Sequence, residues 1–326
     1  MTIKPEPALN LPHRLENPGL VQLSGRDALS FAQSQFANDV TQLADGQWQW
    51  NLWLSAKGRV LALFALVRLD AQTLLLWLPD LDAESLAGQL QRFRFRSKVE
   101  IGALGEAVCR AGFESPEHCG SCASGDLAQI ERDATGNWSR ITLDMGGAVP
   151  RTLCLLSRSD GSGATDAESD GAANARWRAL DIAHGLPRLR GEGLDAFTPQ
   201  MLGLERLRAF SVKKGCYPGQ EIVARTHFLG QAKRGPLRFA LQQRVEAGAR
   251  LGAESGESAQ VVSVAESHGR FEVLAVGPRE AAAPGWRTES GCEAELLALL
   301  DGLARPAGTP AAPWHDSADA DDQPVR

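Results

Sequence analysis

The sequence predicts an α+β fold of mainly antiparallel sheets with flanking helices, followed by a small C-terminal β-barrel. Between residues 24 and 101, apolar periodicity gives the element order α-β-β-β-α-β, which indicates an antiparallel sheet with helices on one face. After about residue 232, short apolar runs are interrupted by glycine at close intervals, a pattern typical of a small all-β module.

The first helix is predicted after Ser24–Asp27, a capping-box-like pattern with Asp in place of the usual Glu. Leu29, Ala32, Phe36 and Val40 then recur at helical spacing, which indicates a buried stripe along that helix.

Three strands are predicted next. Residues 48–54 alternate apolar and polar side chains up to a turn at Lys57-Gly58, and two near-continuous apolar runs cover 59–68 and 73–78. A second helix and a further strand complete this part of the chain, marked by Leu86, Leu90 and Phe93 and by residues 99–101.

The middle of the chain is less regular. Residues 103–130 are rich in Gly, Ser and Ala and predict loop-containing structure. Further on, Trp177, Leu180 and His184 share one face of a predicted helix, and Thr198-Pro199 resembles an N-cap followed by proline at the first helical position.

We therefore predict three regions. Residues 1–231 form the α+β body and include a low-complexity loop at 158–174, residues 232–303 form the barrel, and residues 304–326 form a disordered acidic tail.

Composition limits the classes of function. The formal net charge of −6 argues against a dedicated nucleic-acid binder, although local basic patches are compatible with it. The longest apolar stretches, 60–67 and 73–78, are too short to cross a bilayer, and the N-terminus lacks the apolar core of a signal peptide. Six cysteines are too sparse for a disulfide scaffold. We expect a cytoplasmic protein with no membrane partner and no direct nucleic-acid partner.

The segment Lys213–Arg225, KKGCYPGQEIVAR, concentrates unusual chemistry. Pro218 suits the first turn of a helix, so Cys216 is predicted to lie just before a helix start, beside Lys213 and Lys214. Positive charge and a helix N-terminus both lower the pKa of a thiol, and we expect a partial thiolate. The alternative is a small buried hydrophobic side chain, which is the usual fate of a free cysteine.

The same segment resembles the signature of the YgfZ-type folate-binding proteins, relatives of the glycine-cleavage T-protein, an aminomethyltransferase. The matching pattern is Lys-Gly-Cys-Tyr-x-Gly-Gln-Glu followed by Val-Ala-Arg. Further segments resemble that family in the same order, so that the resemblance covers roughly residues 20–300: 24–40, 54–66, 90–101 and 197–230.

The resemblance implies a folate-binding body around a central hole or groove, with a C-terminal β-barrel. It implies tetrahydrofolate, or a one-carbon derivative, as cofactor, and a role in assembling or repairing iron–sulfur enzymes, including those that modify tRNA. Reduced folate and iron–sulfur client enzymes are thus the expected partners.

A folate site needs aromatic faces for the pterin and a cation for the glutamate tail. Trp177 matches a folate-contacting tryptophan of the family, and Lys214 and Arg225 are candidates for the tail; the alternatives are a core tryptophan and solvated surface charge. Cys216 is the expected reactive thiol. The expected cofactor-binding residues are Trp177, Lys214, Tyr217, Gln220, Glu221 and Arg225.

Two departures from the T-protein argue against transferase chemistry. The aspartate that serves transfer in the T-protein corresponds to Ala62, and its pterin-reading glutamate corresponds to Ala183. Asp181 is two residues away and lies on another face of the helix. We therefore expect an accessory factor; the alternatives are a folate-dependent one-carbon transferase and a non-catalytic docking module.

No metal site is expected. Cys119 and Cys122 form a CxxC pair, but no second pair accompanies it and it lies in a Gly/Ser-rich segment, so we interpret it as coincidence.

Overall fold

The computed structural model describes residues 13–16, 18–105, 107–157, 169–230, 232–267, 269–280 and 285–300, and at Glu192 it describes the backbone alone. Within these ranges, strands and helices form three antiparallel sheets and four α-helices, which confirms the predicted α+β class. The strands are β1 (His13–Arg14), β2 (Gly19–Ser24), β3 (Trp48–Leu54), β4 (Val60–Asp70), β5 (Thr73–Leu78), β6 (Glu100–Ala103), β7 (Val108–Gly112), β8 (Gln129–Arg132), β9 (Trp138–Asp144), β10 (Thr152–Leu156), β11 (Arg234–Leu241), β12 (Arg250–Gly252), β13 (Ser258–Ser267), β14 (Arg270–Pro278), β15 (Arg287–Thr288) and β16 (Ala294–Leu297). The helices are α1 (Ala28–Gln35), α2 (Ala83–Gln91), α3 (Gly171–Ala183) and α4 (Gln220–Leu229), with short 3-10 helices at Gly191–Gly193 and Leu204–Leu207.

The first sheet has the order β3-β4-β5-β2-β6 and is covered on both faces. One face packs against α1 and α2, and the other packs against the second sheet. This explains the near-continuous apolar run of β4, because successive side chains enter different cores. Leu63, Ala65 and Val67 enter the core shared with the second sheet, and Ala62, Phe64 and Leu66 enter the core under the helices.

The second sheet has the order β1-β7-β10-β9-β8. Its inner face packs on three buried tryptophans of the first sheet, Trp48, Trp50 and Trp77. The rings of Trp48 and Trp50 meet edge to face at 5.8 Å, a favourable aromatic arrangement.

The third sheet has the order β15-β12-β13-β14-β11-β16 and curls into a small barrel. A bridge between Arg287 and Glu293 joins its two ends, where the backbone N–H of Ala294 donates to the carbonyl of Trp286 at 2.8 Å. The predicted C-terminal barrel is thereby confirmed.

Helix α3 connects the body to this barrel. Asp170 caps its start by accepting from the backbone N–H groups of Ala172 and Ala173, and Ile182 packs against Leu274 of β14. The helix ends before Gly185, which has a left-handed φ of 75°. In the part of the chain that is described, no helix is both long and apolar enough to span a membrane.

The structure differs from the sequence prediction in several places. Residues 171–174, predicted as the end of the low-complexity loop, form the first turn of α3 because Asp170 caps that helix. The rest of the predicted loop that lies at 158–168 and the predicted tail from 304 lie outside the described ranges. Residues 103–130 contain strand β7, whose short sequence carries little signal and which is fixed by pairing with β1 and β10. Thr198-Pro199 begins turns rather than a helix, and the 3-10 helix forms only at Leu204–Leu207.

Candidate functional site

We define the motif loop as residues 211–219. It crosses the C-terminal end of α1, where the backbone N–H of Ser211 donates to the carbonyl of Ala37 at 2.9 Å. It then reaches the turn between β3 and β4 and leads into α4. Side chains on both sides of Cys216 hold this loop in place.

Lys214 is the first of these anchors. Its Nζ donates to the backbone carbonyls of Gln33 at 2.7 Å, Phe36 at 2.6 Å and Asn38 at 3.2 Å. The carbonyls of Gln33 and Phe36 belong to the end of α1, which the helix leaves without partners and where a cation is favoured. Burial lowers the pKa of Lys214 to about 8, partly opposed by the charge of Asp39, so the side chain is still mainly an ammonium near neutral pH.

This position corrects the predicted role of Lys214. An ammonium that already donates to three carbonyls at the end of α1 has no donor left for a folate carboxylate. Lys213, its neighbour in sequence, is the exposed lysine of the pair.

Tyr217 is the second anchor. The residue is 7% exposed, its hydroxyl donates to the carbonyl of Ser211 at 3.3 Å, and the Nζ of Lys214 lies 5.2 Å from the ring centroid. Burial raises the pKa of Tyr217 to about 12. Gln220 adds a brace, because its side-chain amide donates to the carbonyl of Lys214 at 3.2 Å.

Gly219 fixes where α4 begins. Its φ is +80°, and a Cβ there would stand 2.5 Å from the carbonyl oxygen of Ser55 and 2.7 Å from the Cα of Gly58. Residue 219 is therefore left-handed and packed directly on the β3–β4 turn. This corrects the predicted helix start: α4 begins at Gln220, and Pro218 lies outside it.

Cys216 lies between the two anchors and is exposed. Burial raises the pKa of the Cys109 and Cys154 thiols, so those two are poor nucleophiles. Cys119 and Cys122 are also exposed and form the proper comparison for Cys216. In the described residues, no group of three or more His, Cys, Asp or Glu side chains is arranged to hold a metal ion.

Helix α4 presents two more of the predicted residues. Glu221 lies in its first turn, where the helix dipole favours an anion, and Arg225 follows four residues later on the same face. Both are exposed, and so both remain free to contact a ligand beside Cys216.

A carboxylate beside the motif loop was missed by sequence reasoning. Asp195 accepts a hydrogen bond from the Ser55 hydroxyl at 2.6 Å, at the turn on which Gly219 packs. Its φ is 55°, a left-handed conformation that costs a non-glycine residue free energy. No local sequence pattern predicts the position of Asp195, because its contact with Ser55 joins residues 140 positions apart.

Trp177 does not offer the exposed aromatic face that was predicted. Its side chain is 0% exposed and packs in the core beside Phe113, at 6.1 Å between ring centroids. The guanidinium carbon of Arg151 lies 4.5 Å from the ring centroid. The indole Nε1 of Trp177 and the Nε and Nη2 atoms of Arg151 are buried without hydrogen-bond partners. The cluster is closed, but it contains donors that lack acceptors.

The two alanine positions are also buried. Ala62 and Ala183 are 0% and 2% exposed, so neither position places a carboxylate in a site. Asp181 does not compensate, since one of its oxygens accepts from Arg151 at 2.8 Å and the other from Arg188 Nε at 2.9 Å.

An open cleft of about 450 Å³ lies between α3 and the barrel. Its lining includes Arg178, Arg188, Arg190 and Arg244, together with Phe271. The side chains of Arg190 and Arg244 are 55% and 69% exposed, so they can meet an anion although each already pairs with a carboxylate. A volume in this range suits a small organic ligand.

His184 provides a test of the packing around α3. Its Nδ1 donates to the carbonyl of Leu180 at 2.7 Å, and its Nε2 accepts from the backbone N–H of Ala148 at 3.1 Å. Burial, reinforced by the charge of Arg151, lowers the pKa of His184 from 6.5 to about 4.

The unfolded chain binds this proton near pH 6.5 and the folded chain only near pH 4, so stability falls as the pH drops through that window. We expect a loss of roughly 3 kcal/mol in the free energy of unfolding. His184→Gln should remove this part of the pH dependence in urea unfolding series. Burial also lowers the pKa of His13. Because His13 is present in both proteins, its contribution cancels when their pH profiles are compared. Parallel pH profiles for the two proteins would contradict the assignment.

Comparison with solved structures defines the class of protein. The glycine cleavage system aminomethyltransferase T from Bartonella henselae matches with a TM-score of 0.68, covering 89% of this chain and 86% of that chain at 16% sequence identity. The likeness at this identity shows the fold: the chain has the architecture of the aminomethyltransferase T-protein.

Sequence relatives define the family, although no protein-family model matches the chain. The tRNA-modifying protein YgfZ of Vibrio vulnificus is 30% identical over 243 residues, which are 72% of this chain and 71% of the relative. The proteins of that name from Escherichia coli O157:H7 and Colwellia psychrerythraea are 29% identical over 252 residues (75% of this chain and 76% of the relative) and 28% identical over 236 residues (70% of each). This chain belongs to the family of the tRNA-modifying protein YgfZ, which confirms the resemblance seen in the sequence.

Proposed function

We propose that this chain is a reduced-folate-binding accessory protein that supports the assembly or repair of iron–sulfur enzymes, including enzymes that modify tRNA. The T-protein architecture and the naming of the relatives as tRNA-modifying proteins support this proposal. The observation that carries it is the motif loop, in which an exposed Cys216 is held between the buried side chains of Lys214 and Tyr217.

A rigid loop suits a reactive thiol. The anchors fix the backbone on both sides of Cys216, so the thiol can be presented to a partner at low entropic cost. Glu221 and Arg225 are exposed on the helix that follows and supply charges of both signs for contact with a ligand or client.

The chemical groups around Trp177 match those that a folate needs, but the cluster is closed to a ligand. Unpartnered N–H groups on Trp177 and Arg151 match the acceptors of a pterin, and the neighbouring aromatic rings match its flat face. The cluster is closed around Trp177, so binding there requires side chains to move apart. Tetrahydrofolate, when bound, supplies a nitrogen that carries a one-carbon unit.

Trp177→Phe should weaken tetrahydrofolate binding about three- to tenfold, because it deletes the Nε1 donor while keeping an aromatic ring at the position. Isothermal titration with tetrahydrofolate measures the change. Phenylalanine is preferred to alanine, since a buried Trp→Ala change costs about 3–5 kcal/mol of stability by itself.

Trp286→Phe is the matched control, because Trp286 is 1% exposed, lies in the barrel and also has a buried Nε1 without a partner. If Trp177→Phe leaves the affinity for tetrahydrofolate unchanged and Arg244→Gln weakens it, the folate site is instead the cleft between α3 and the barrel. Absence of binding in the wild-type protein would refute folate binding.

No aminomethyltransferase turnover is expected, because the buried Ala62 stands at the position of the T-protein's transfer aspartate. Production of methylene-tetrahydrofolate from an aminomethyl donor should stay at the level of a blank, with a genuine T-protein assayed in parallel. Turnover well above the blank would favour the rival function, a folate-dependent one-carbon transferase.

A further inference from the structure

Residues 92–98, RFRFRSK, form a surface segment that we call the basic-aromatic loop. Three arginines and a lysine alternate with two phenylalanines, and all six side chains are exposed. Phe93 is 50% and Phe95 88% exposed, which places them among the most exposed large apolar side chains of the described chain. The candidate site described above uses none of these residues.

The loop has a defined shape. It follows the end of α2 and closes a turn in which the backbone N–H of Ser97 donates to the carbonyl of Arg94 at 2.8 Å. Phe95 lies in this turn with a φ of 41°, so a bulky residue is held in the left-handed region at a cost of about 1–2 kcal/mol. The left-handed conformation holds an apolar ring in solvent. No burial of the ring therefore compensates for the free energy that the conformation costs.

Both ends of the loop are fixed to the body. The Phe93 ring meets Trp53 edge to face at 5.8 Å, and the side chain of Asp27 accepts from the backbone N–H of Lys98 at 2.8 Å. The rings and guanidinium groups are therefore displayed on an ordered platform.

The charges of the loop are largely available. Within the described ranges, no carboxylate forms an ion pair with Arg92, Arg94 or Arg96, and the guanidinium carbon of Arg96 lies 5.4 Å from the centroid of the Phe95 ring. Asp27, the carboxylate that touches the loop, is already engaged by Arg26 and by the Lys98 backbone.

We propose that the basic-aromatic loop binds an unpaired stretch of RNA, with bases stacking on Phe93 and Phe95 and phosphates meeting the arginines. Exposed aromatic rings interleaved with cations are the elements that single-stranded nucleic acids need, since every base offers a face for stacking and every nucleotide a phosphate. An acidic protein segment would use the charges, but its carboxylates offer no flat face that stacks on the two rings. The choice of RNA over DNA rests on the proposed function, whereas the stacking argument does not.

The loop also lies beside the candidate site. Phe36 and Trp53 form a β-bridge; Trp53 contacts Phe93, and the carbonyl of Phe36 accepts from Lys214. The motif loop thus contacts one residue of this bridge, and the basic-aromatic loop contacts the other. An RNA bound at residues 92–98 would therefore lie on the same side of this bridge as the basic-aromatic loop, with the motif loop attached at its other residue. The expectation from net charge, that nucleic acid is not a partner, is revised here for this one patch.

Fluorescence anisotropy of the full-length protein with a short, unstructured, labelled RNA tests the proposal. Phe95→Asn removes the ring but tolerates a left-handed φ, and it should weaken binding about tenfold, as loss of one stacked base predicts. The double variant Arg94→Gln/Arg96→Gln should reduce the slope of log K against log salt by roughly 1.4, since each neutralised phosphate of a single strand contributes about 0.7.

Matched controls come from elsewhere on the surface. Leu127→Asn removes another exposed apolar side chain, and Arg250→Gln removes an exposed arginine of the barrel; both should bind like wild type. Duplex RNA should bind at least tenfold more weakly than the single strand. Tetrahydrofolate titrations on the loop variants should match wild type, so that failure here is distinct from failure of folate binding.

Four results would overturn the proposal. They are absence of RNA binding by wild type, unaltered binding in the loop variants, equal affinity for duplex and single strand, and displacement of RNA by an acidic peptide at equal concentration. Equal affinity for single-stranded DNA of the same sequence would overturn the choice of RNA.

Discussion

Cys216→Ser is expected to abolish support of iron–sulfur enzymes in cells that depend on this protein, while the free energy of unfolding stays within about 0.5 kcal/mol of wild type. The reason is structural: the thiol is exposed, and the loop is held by Lys214 and Tyr217 rather than by Cys216 itself. Activity of an iron–sulfur tRNA-modifying enzyme, measured beside a urea unfolding curve, tests both parts.

Alkylation rates provide an independent measurement. Near neutral pH, Cys216 should react faster than Cys119 and Cys122, which are also exposed, and far faster than the buried Cys109. Cys122→Ser is the matched control for the cellular assay and should retain full support. Full activity of Cys216→Ser, or a Cys216 rate no higher than that of the other exposed thiols, would remove the thiol from the mechanism.

Asp181→Asn is expected to destabilise the protein by about 3–5 kcal/mol, the cost of leaving buried charges without their partner. Asp181 and Arg151 are both 0% exposed, and their ion pair has an N–O distance of 2.8 Å. Arg188 pairs with the same carboxylate, and its backbone N–H donates to the Ser263 hydroxyl of β13 at 2.8 Å. The change should therefore loosen the contact between α3 and the barrel as well as α3 itself.

The surface pair Asp45–Arg68 is the control, because its carboxylate is 57% exposed. Asp45→Asn should cost less than about 1 kcal/mol in the same urea titration. Arg151→Met should cost less than Asp181→Asn, since Asp181 keeps Arg188 as a partner. A loss below about 1 kcal/mol for Asp181→Asn would show that the buried cluster rearranges or admits water.

Much of the fold could be predicted from local pattern, because its causes are local. Alternation in residues 48–54 and the apolar run of β4 identify the strands of the first sheet, and the glycine-punctuated runs after 232 identify the barrel. Strand β7 could not be predicted in this way, since its five residues become a strand through pairing with distant segments.

The candidate site was less predictable, for a physical reason. Lys213 and Lys214 are equivalent in sequence, and only the path of the motif loop decides that Lys214 enters the end of α1 while Lys213 stays in solvent. Trp177 has the spacing of a core residue, and the sequence resemblance also made it a candidate folate contact. Local sequence does not decide between the two. The side chain contacts of Asp195 and Asp181 depend on tertiary packing alone.

Tyr217 gives the molecule a built-in spectroscopic reporter. It is the chain's single tyrosine, so the ultraviolet signal of its phenolate in an alkaline titration comes from the motif loop and from nowhere else. Because folding raises the pKa of Tyr217 from 10 to about 12, the tyrosine in the folded loop stays protonated at pH values at which an opened loop has lost this proton. Raising the pH above 10 therefore increasingly favours opening of the loop. The onset of the phenolate signal therefore measures how firmly the segment around Cys216 is closed, and any folate, RNA or client protein that tightens or releases it will move that onset.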